Sequence, residues 1–257
     1  MPHTELFISS DGGAIEAAIR YAIWNLYQAG VPIINVSWTG TGLNEAAARE
    51  ITESGTTLVL GAGNDNYASY HSEIADIPGV INVSSINVQN KHVNHYAHNQ
   101  YVDICAPGSV VATTRANNSY GPSAGTSASA AIVSGVIALM LEVNPCLQPS
   151  EVESIIKQTA DPIADAHDYP GLLGAGKINA YEAVKLAGTK NINNSSLSGT
   201  KIISAGYGFN LANTLIENSS NITLIARKEV NIDGNFEVPL GNSFSIEIDL
   251  EIRSSCD

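Results

Sequence analysis

The stretch GPSAGTSASAAIVSGVIALM, Gly121 to Met140, decides the reading of this chain. Most of it is an apolar run rich in small residues, which predicts a buried helix rather than an amphipathic surface one. A single hydroxyl residue, Ser127, stands behind Gly125 and Thr126 at the mouth of that run. Gly125 removes a side chain where another molecule would need to approach, and the helix aims its positive end at any negative charge that develops there. A serine becomes a nucleophile only when a base takes its proton and donors wait for the oxyanion. Alone, Gly-Thr-Ser ahead of a helix also reads as an ordinary helix start.

Working outward, the chain alternates between two periods. From Gly13 to Gly30, apolar residues at Ile15, Ala18, Ile19, Ala22, Ile23, Leu26 and Tyr27 have helical spacing, with Gly30 as the stop. Residues 31–37 read as a strand, Asn44 to Ser54 as a helix, and Thr56 to Leu60 as a strand rich in β-branched residues. Gly79 to Ser85 and Tyr101 to Ala106 read as further short buried strands. The expected class is α/β, a parallel sheet with helices on both faces. Ser150-Glu151-Val152-Glu153 has the form of a capping box opening a helix to Ala160, and a last helix is expected from Asn179 to Leu186. Residues 189–199, TKNINNSSLSG, are polar and read as a linker. Beyond it, Phe244, Ile246, Ile248, Leu250 and Ile252 alternate with polar residues, predicting a half-buried strand in a small β unit over 200–257.

The chain has 257 residues and a net charge of −13. That length suits one sizeable core, and the acidity weighs against nucleic acid or an anionic membrane as partner. No apolar run is expected to reach the roughly 18 residues of a membrane span, and residues 1–5 lack the pattern of a signal peptide. Cys105, Cys146 and Cys256 lie far apart with no metal-ligand spacing, and their pairing is open.

A second segment changes the reading of Ser127. TTLVLGAGNDN ends a buried strand with Gly61-Ala62-Gly63-Asn64, which places a side-chain amide on the loop beyond it. With INVSWTG, VDICAPGS, DIPGVINVSSIN and NPCLQPSEVESIIKQTADP, in order over residues 5–187, the chain resembles the subtilisin-like serine endopeptidases. The resemblance implies that Ser127 is the nucleophile, that Asn64 is an oxyanion donor beside the Ser127 N–H, and that Gly125 and Thr126 belong to the same motif. It makes Ser37, Trp38, Thr39 and Gly40, with Gly61, Ala62 and Gly63, the walls of a substrate cleft for polypeptides. It also implies an exported parent protein and allows structural calcium, with no other cofactor evident.

The chain departs from that family in places. Ala131 and Ile132 stand where proline and histidine are usual, and Thr39 replaces a glycine, which is expected to narrow the pocket for the residue before the cut bond. In the family the catalytic order is Asp, His, Ser. Nothing in this sequence reads as the Asp-Thr-Gly or His-Gly-Thr-His segments, so the expectation is a truncated enzyme whose base and orienter lie before residue 1. His71, His92, His95 and His98 read as solvated loop histidines rather than as a substitute base or a metal site. Gly61-Ala62-Gly63 lacks the third glycine of a dinucleotide turn, and Gly171 to Lys177 has Ile178 where a phosphate loop needs Ser or Thr; both read as structural turns. The rival reading is a catalytically dead protease fold that holds peptides by strand addition. The tail, with GNFEVPLGNSFSIEI and Cys256, resembles short β-repeat units that end some secreted Bacteroidetes proteins and could act as an anchor.

Overall fold

The structure, a computed structural model, describes residues 15–38, 40–66, 73–217 and 219–254. They fall into two compact units, one running to Gly135 and including Gln148–Asn179, the other made of Val136–Leu147 and the chain from Ala180 onward.

In the first unit, β1 (Ile33–Val36), β2 (Thr57–Gly61), β3 (Val80–Ile86) and β4 (Ile104–Pro107) form one parallel sheet in chain order. β2 and β3 are buried along their whole length, β2 through a mainly apolar sequence and β3 with Asn82, Ser84 and Ser85 among its buried residues. Ile34, Val36, Leu58, Leu60 and Val80 share a core with Ile19, Ile23 and Leu26 of helix α1 (Ile15–Gln28) and Ala48 and Ile51 of helix α2 (Glu45–Glu53). Asn44 caps α2 by accepting from Ala47 N at 2.9 Å. The hairpin of β5 (Val111–Arg115) and β6 (Ser119–Ser123) turns at Asn117 and Asn118, both in the left-handed region that asparagine tolerates. It leads into α3 (Thr126–Val143).

Helix α4 (Pro149–Gln158) begins earlier than expected. Its capping box is Gln148 with Glu151, because Pro149 suits the first helical turn and leaves Glu151 to accept from the Gln148 N–H. Glu153 is instead committed to Gly79 N at 2.8 Å and to Lys157, whose ammonium lies 2.7 Å from the buried Asp103. Helix α3 also corrects an expectation: its 18 residues are long and apolar enough, by length and composition, to cross a membrane. Ser129, Ala130 and Val133 are nevertheless buried in the protein, and Ser129 Oγ donates to Ala106 O on the sheet.

In the second unit α5 (Ala180–Gly188) is followed by a stack of parallel strands. The polar segment read as a linker forms β7 (Thr189–Asn193) and β8 (Ser196–Leu197). With β9 (Thr200–Ala205), β10 (Gly208–Ile216), β11 (Asn221–Ala226), β12 (Glu229–Glu237) and β13 (Ser243–Ile248), these build two sheets ordered β12-β10-β7 and β13-β11-β9. Register partners such as Thr189 and Gly208, or Asn221 and Ser243, lie 19 to 22 residues apart, so the chain winds as successive coils of a solenoid. Phe209, Leu211, Ile222 and Leu224 fill its interior. The polar residues that suggested a linker stack instead: Asn191, Asn210 and Asn231 join side chain to side chain, as do Asn194 and Asn213. β13 is more exposed than a half-buried strand, Ile246 and Ile248 included, because among the described residues it has a neighbouring strand only on its β11 side.

Candidate active site

β1 and β2 deliver their following loops to one end of the sheet, where parallel sheets gather functional groups. Ser37 and Trp38 follow β1; Gly61, Ala62, Gly63 and Asn64 follow or end β2. Ser37, Trp38, Gly61, Asn64, Thr126 and Ser127 line a single cleft of about 200 Å³. Thr39 lies outside the described residues. Ala62 and Gly63 are buried under the cleft, and Gly40 is half-buried beyond its wall.

The local chemistry explains the Gly-Thr-Ser sequence. Thr126 N donates to Asn64 Oδ1 at 2.9 Å, so the Asn64 amide caps α3 from another loop. Thr126 Oγ1 lies 3.3 Å from the same oxygen and accepts from Gly63 N at 3.1 Å. A backbone N–H can only donate, which fixes the amide with its oxygen toward the helix. Nδ2 is left without a partner among the described residues. A Cβ at Gly125, whose φ is +120°, would come within 3.1 Å of Asn64 Oδ1, and one at Gly61 within 3.4 Å of Ser127 N. Both glycines therefore hold the amide and the helix start at close approach.

Ser127 Oγ lies 3.4 Å from Ser37 O, and Ser37 Oγ donates to Ser127 O at 3.0 Å. Asn35 Nδ2 donates to Ser37 Oγ at 2.9 Å, and Ser134 Oγ to Asn35 Oδ1 at 3.2 Å, which links β1 to α3. Among the described residues no imidazole or carboxylate bonds Ser127 Oγ. The expectation of solvated loop histidines fails for two of the three described members: His92 and His98 are buried, while His95 is exposed and lines a wider groove of about 680 Å³ with Asn64 and Asn94. His71 lies outside the described residues. No group of three or more His, Cys, Asp or Glu is arranged to hold a metal ion among the described residues, so none of them forms an acidic cage for calcium. Gly174 and Gly176 are structural: a Cβ on either would strike the carbonyl of Asp103 or Asp161. Cys105 is free and buried, with its thiol pushed up to about 12 by burial, and Cys146 is disulfide-bonded.

A parallel sheet with a serine at the mouth of the long helix makes the chain an α/β protein of subtilisin-like fold. Residues 8–210 match the subtilase family, peptidase S8, and the chain belongs to that family. It is 33% identical over 167 residues to the extracellular protease of Xanthomonas campestris pv. campestris, covering 60% of this chain and 28% of the relative. Against subtilisin DY of Bacillus licheniformis it is 29% identical over 185 residues, covering 69% of this chain and 66% of the relative. The solved structure of the prenylagaramide maturation protease PagA superposes with a TM-score of 0.57 at 25% identity, covering 73% of this chain and 70% of that one. The chain thus spans less than two thirds of the length of the two curated relatives.

Proposed function

We propose that this chain is the nucleophile-bearing part of a serine endopeptidase acting on polypeptides outside the cell. Ser127 Oγ attacks the scissile carbonyl carbon while its proton passes to a base from a segment beyond these residues. The oxyanion is received by Asn64 Nδ2 and Ser127 N–H. The C–N bond then breaks as the departing amine takes the proton, and water releases the acyl group. The observation that carries this reading is the Asn64 amide, locked oxygen-first onto Thr126 so that its N–H₂ remains for a ligand. Among the described residues β1 is an edge strand in the sheet order, and a strand added beside it would end near Ser37 and Ser127, which supports entry of the base from that side. In a subtilisin, loss of the histidine alone costs about a million-fold in turnover, so the 257 residues by themselves are proposed to be inactive. The disulfide at Cys146 supports an oxidising, extracellular setting. A division at residue 188 into a catalytic part and a β appendix belongs to the same proposal.

The test is to express the full reading frame that contains this sequence and label it with a serine-reactive fluorophosphonate. Labelling that disappears in Ser127→Ala is expected; absent labelling, or equal labelling of the variant, sinks the reading. The rival, a peptide-binding module without turnover, is favoured by the bond of Ser127 Oγ to a backbone carbonyl in place of a base. It predicts peptide binding that survives Ser127→Ala, with no cleavage by the full-length protein.

A further inference from the structure

Two buried histidines sit behind the loop that carries Asn64. His92 is 6% exposed and His98 0%. Their rings meet edge to face with centroids 4.9 Å apart, and both meet the ring of Tyr169, at 4.7 and 5.0 Å. His92 Nε2 lies 3.1 Å from His98 Nδ1, and that same His98 nitrogen lies 3.1 Å from the carbonyl oxygen of Tyr96. A carbonyl only accepts, so His98 Nδ1 carries the hydrogen and His92 Nε2 faces it with a lone pair. A further proton on His92 Nε2 would set two N–H groups against each other. The conflict is relieved when His98 moves its hydrogen to Nε2, at the expense of its bond to Tyr96 O.

That bond belongs to a strap. His95 O accepts from Asn66 N at 3.0 Å, Ala97 N donates to Gly63 O at 2.9 Å, and His98 N donates to Asn66 O at 3.1 Å. Ser84 Oγ ties Ala97 O to the sheet, and Tyr96 OH donates to Gly108 O, the same oxygen that accepts from Gly125 N. Residues 95–98 therefore hold the Asn64 loop directly and reach Gly125 through Gly108.

Among the described residues the charged group facing His92 is Asp165, whose Oδ1 accepts from His92 N at 3.0 Å. Tyr96, Tyr169 and the Cys105 thiol, neutral because burial pushes it up to about 12, are the other titratable neighbours. Burial and, next, the adjacent His98 hold His92 below the ordinary histidine value of 6.5, against the smaller upward pulls of the Ser85 backbone, Asp165 and the Tyr96 backbone.

We propose that the His92–His98 pair is an acid-sensitive latch: one added proton costs the His98–Tyr96 hydrogen bond and releases the Asn64 loop from its strap. The undocked loop takes up the proton at the ordinary value and the docked loop only below it. Docking is therefore lost progressively as pH falls through 6.5, by up to about tenfold per pH unit until the docked value is reached. Only the consequence, an oxyanion donor switched off in acid, rests on the protease reading.

Hydrogen exchange of the 257-residue protein at pH 7.5 and 5.5, normalised to intrinsic rates, tests it. Opening of the Gly63, Asn66, Ala97 and His98 amides is expected to rise at the lower pH, by up to about tenfold. Val83 in β3 should not change. In His98→Gln, which keeps a donor for Tyr96 O without a titrating ring, or in His92→Gln, the rise should vanish. An unchanged wild type, or an undiminished rise in a folded variant, overturns the latch. NMR of the wild-type imidazoles decides independently of either variant: a His92 midpoint at or above 6.5 is also fatal. Failed fluorophosphonate labelling leaves these outcomes untouched, so the two readings fall separately.

Discussion

Replacing Lys157 by Met would keep the side-chain stem and remove the charge that faces Asp103. Asp103 is 8% exposed, its Oδ1 lies 2.7 Å from the ammonium, and its Oδ2 accepts from Asn82 N at 2.7 Å. Removing one partner of a fully buried pair costs about 3–5 kcal/mol. Here the Lys157 side chain is 37% exposed and Asp103 keeps its Asn82 bond, so solvent screening lowers the expected loss to about 2–3 kcal/mol at pH 7. The pH dependence identifies the cause. Burial already raises Asp103 above 3.8, while the Asn82 N–H and Lys157 act downward. Without Lys157 the folded-state value climbs further, so the folded variant binds a proton that the unfolded chain has already released. Its stability is greatest below 3.8 and falls as pH rises through the folded value, so the gap to wild type widens from pH 4 to pH 7. Both tryptophans, Trp24 and Trp38, lie in this unit, so intrinsic fluorescence in urea at the two pH values reports it without the solenoid. The midpoint of a thermal melt should drop by about 4–10 °C at pH 7 and by under half as much at pH 4. Equal gaps at both pH values, or a gap below about 0.5 kcal/mol at pH 7, would refute the assignment of Asp103 and Lys157 as a coupled buried pair.

Three further outcomes follow from single contacts. Gly108→Ala would bring a Cβ to 2.1 Å from Ser129 Oγ and 2.8 Å from Gly125 O, so it should lower the same fluorescence transition by about 3 kcal/mol or more. Phe209→Ala, at 0% exposure in the solenoid, should cost about 3–5 kcal/mol in a calorimetric transition that leaves the tryptophan signal in place. On the proposed endopeptidase reading, Asn64→Ala in the protein expressed from the full reading frame should lower kcat by about 10²–10³ with KM little changed, because the amide is asked to act on the oxyanion and not on the bound peptide.

The α/β unit was legible because each element buries its apolar residues at its own period. β2 and β3 read as short buried strands and lie buried throughout, and α2 shows its buried face at Ala48, Ile51 and Thr52. The cleft was legible for a different reason. Gly125, Thr126, Ser127 and Asn64 sit in two short segments whose residue types are dictated by close approach, and resemblance picks out such segments. The solenoid was not legible. Its coils differ in length, so no fixed period runs through the sequence, and what repeats is geometry. Asn194, Asn213 and Gly234 occupy one stacked corner with φ of 51°, 49° and 71°, a conformation open to Asn and Gly alike. A polar Asn-rich segment that reads as a linker is equally suited to a ladder of side-chain amides.

The histidines show where sequence reading fails at a functional distance. KHVNHYAHNQ is polar enough to pass as solvated surface, and nothing within it marks His92 and His98 as different from His95. Tyr169, roughly 70 residues further along the chain, meets both rings, and Ile163 and Leu173 pack in one core cluster with Ala97 of the strap that holds the Asn64 loop. Burying two imidazoles 3.1 Å apart is unfavourable unless one hydrogen satisfies both, and here the Tyr96 carbonyl decides which ring carries it. The tautomer is therefore set by the backbone whose position it helps to fix. Thr126 orients the Asn64 amide, while the strap that docks the loop backbone depends on that single hydrogen staying on His98, so the position of the loop and the proton count behind it belong to one structural unit.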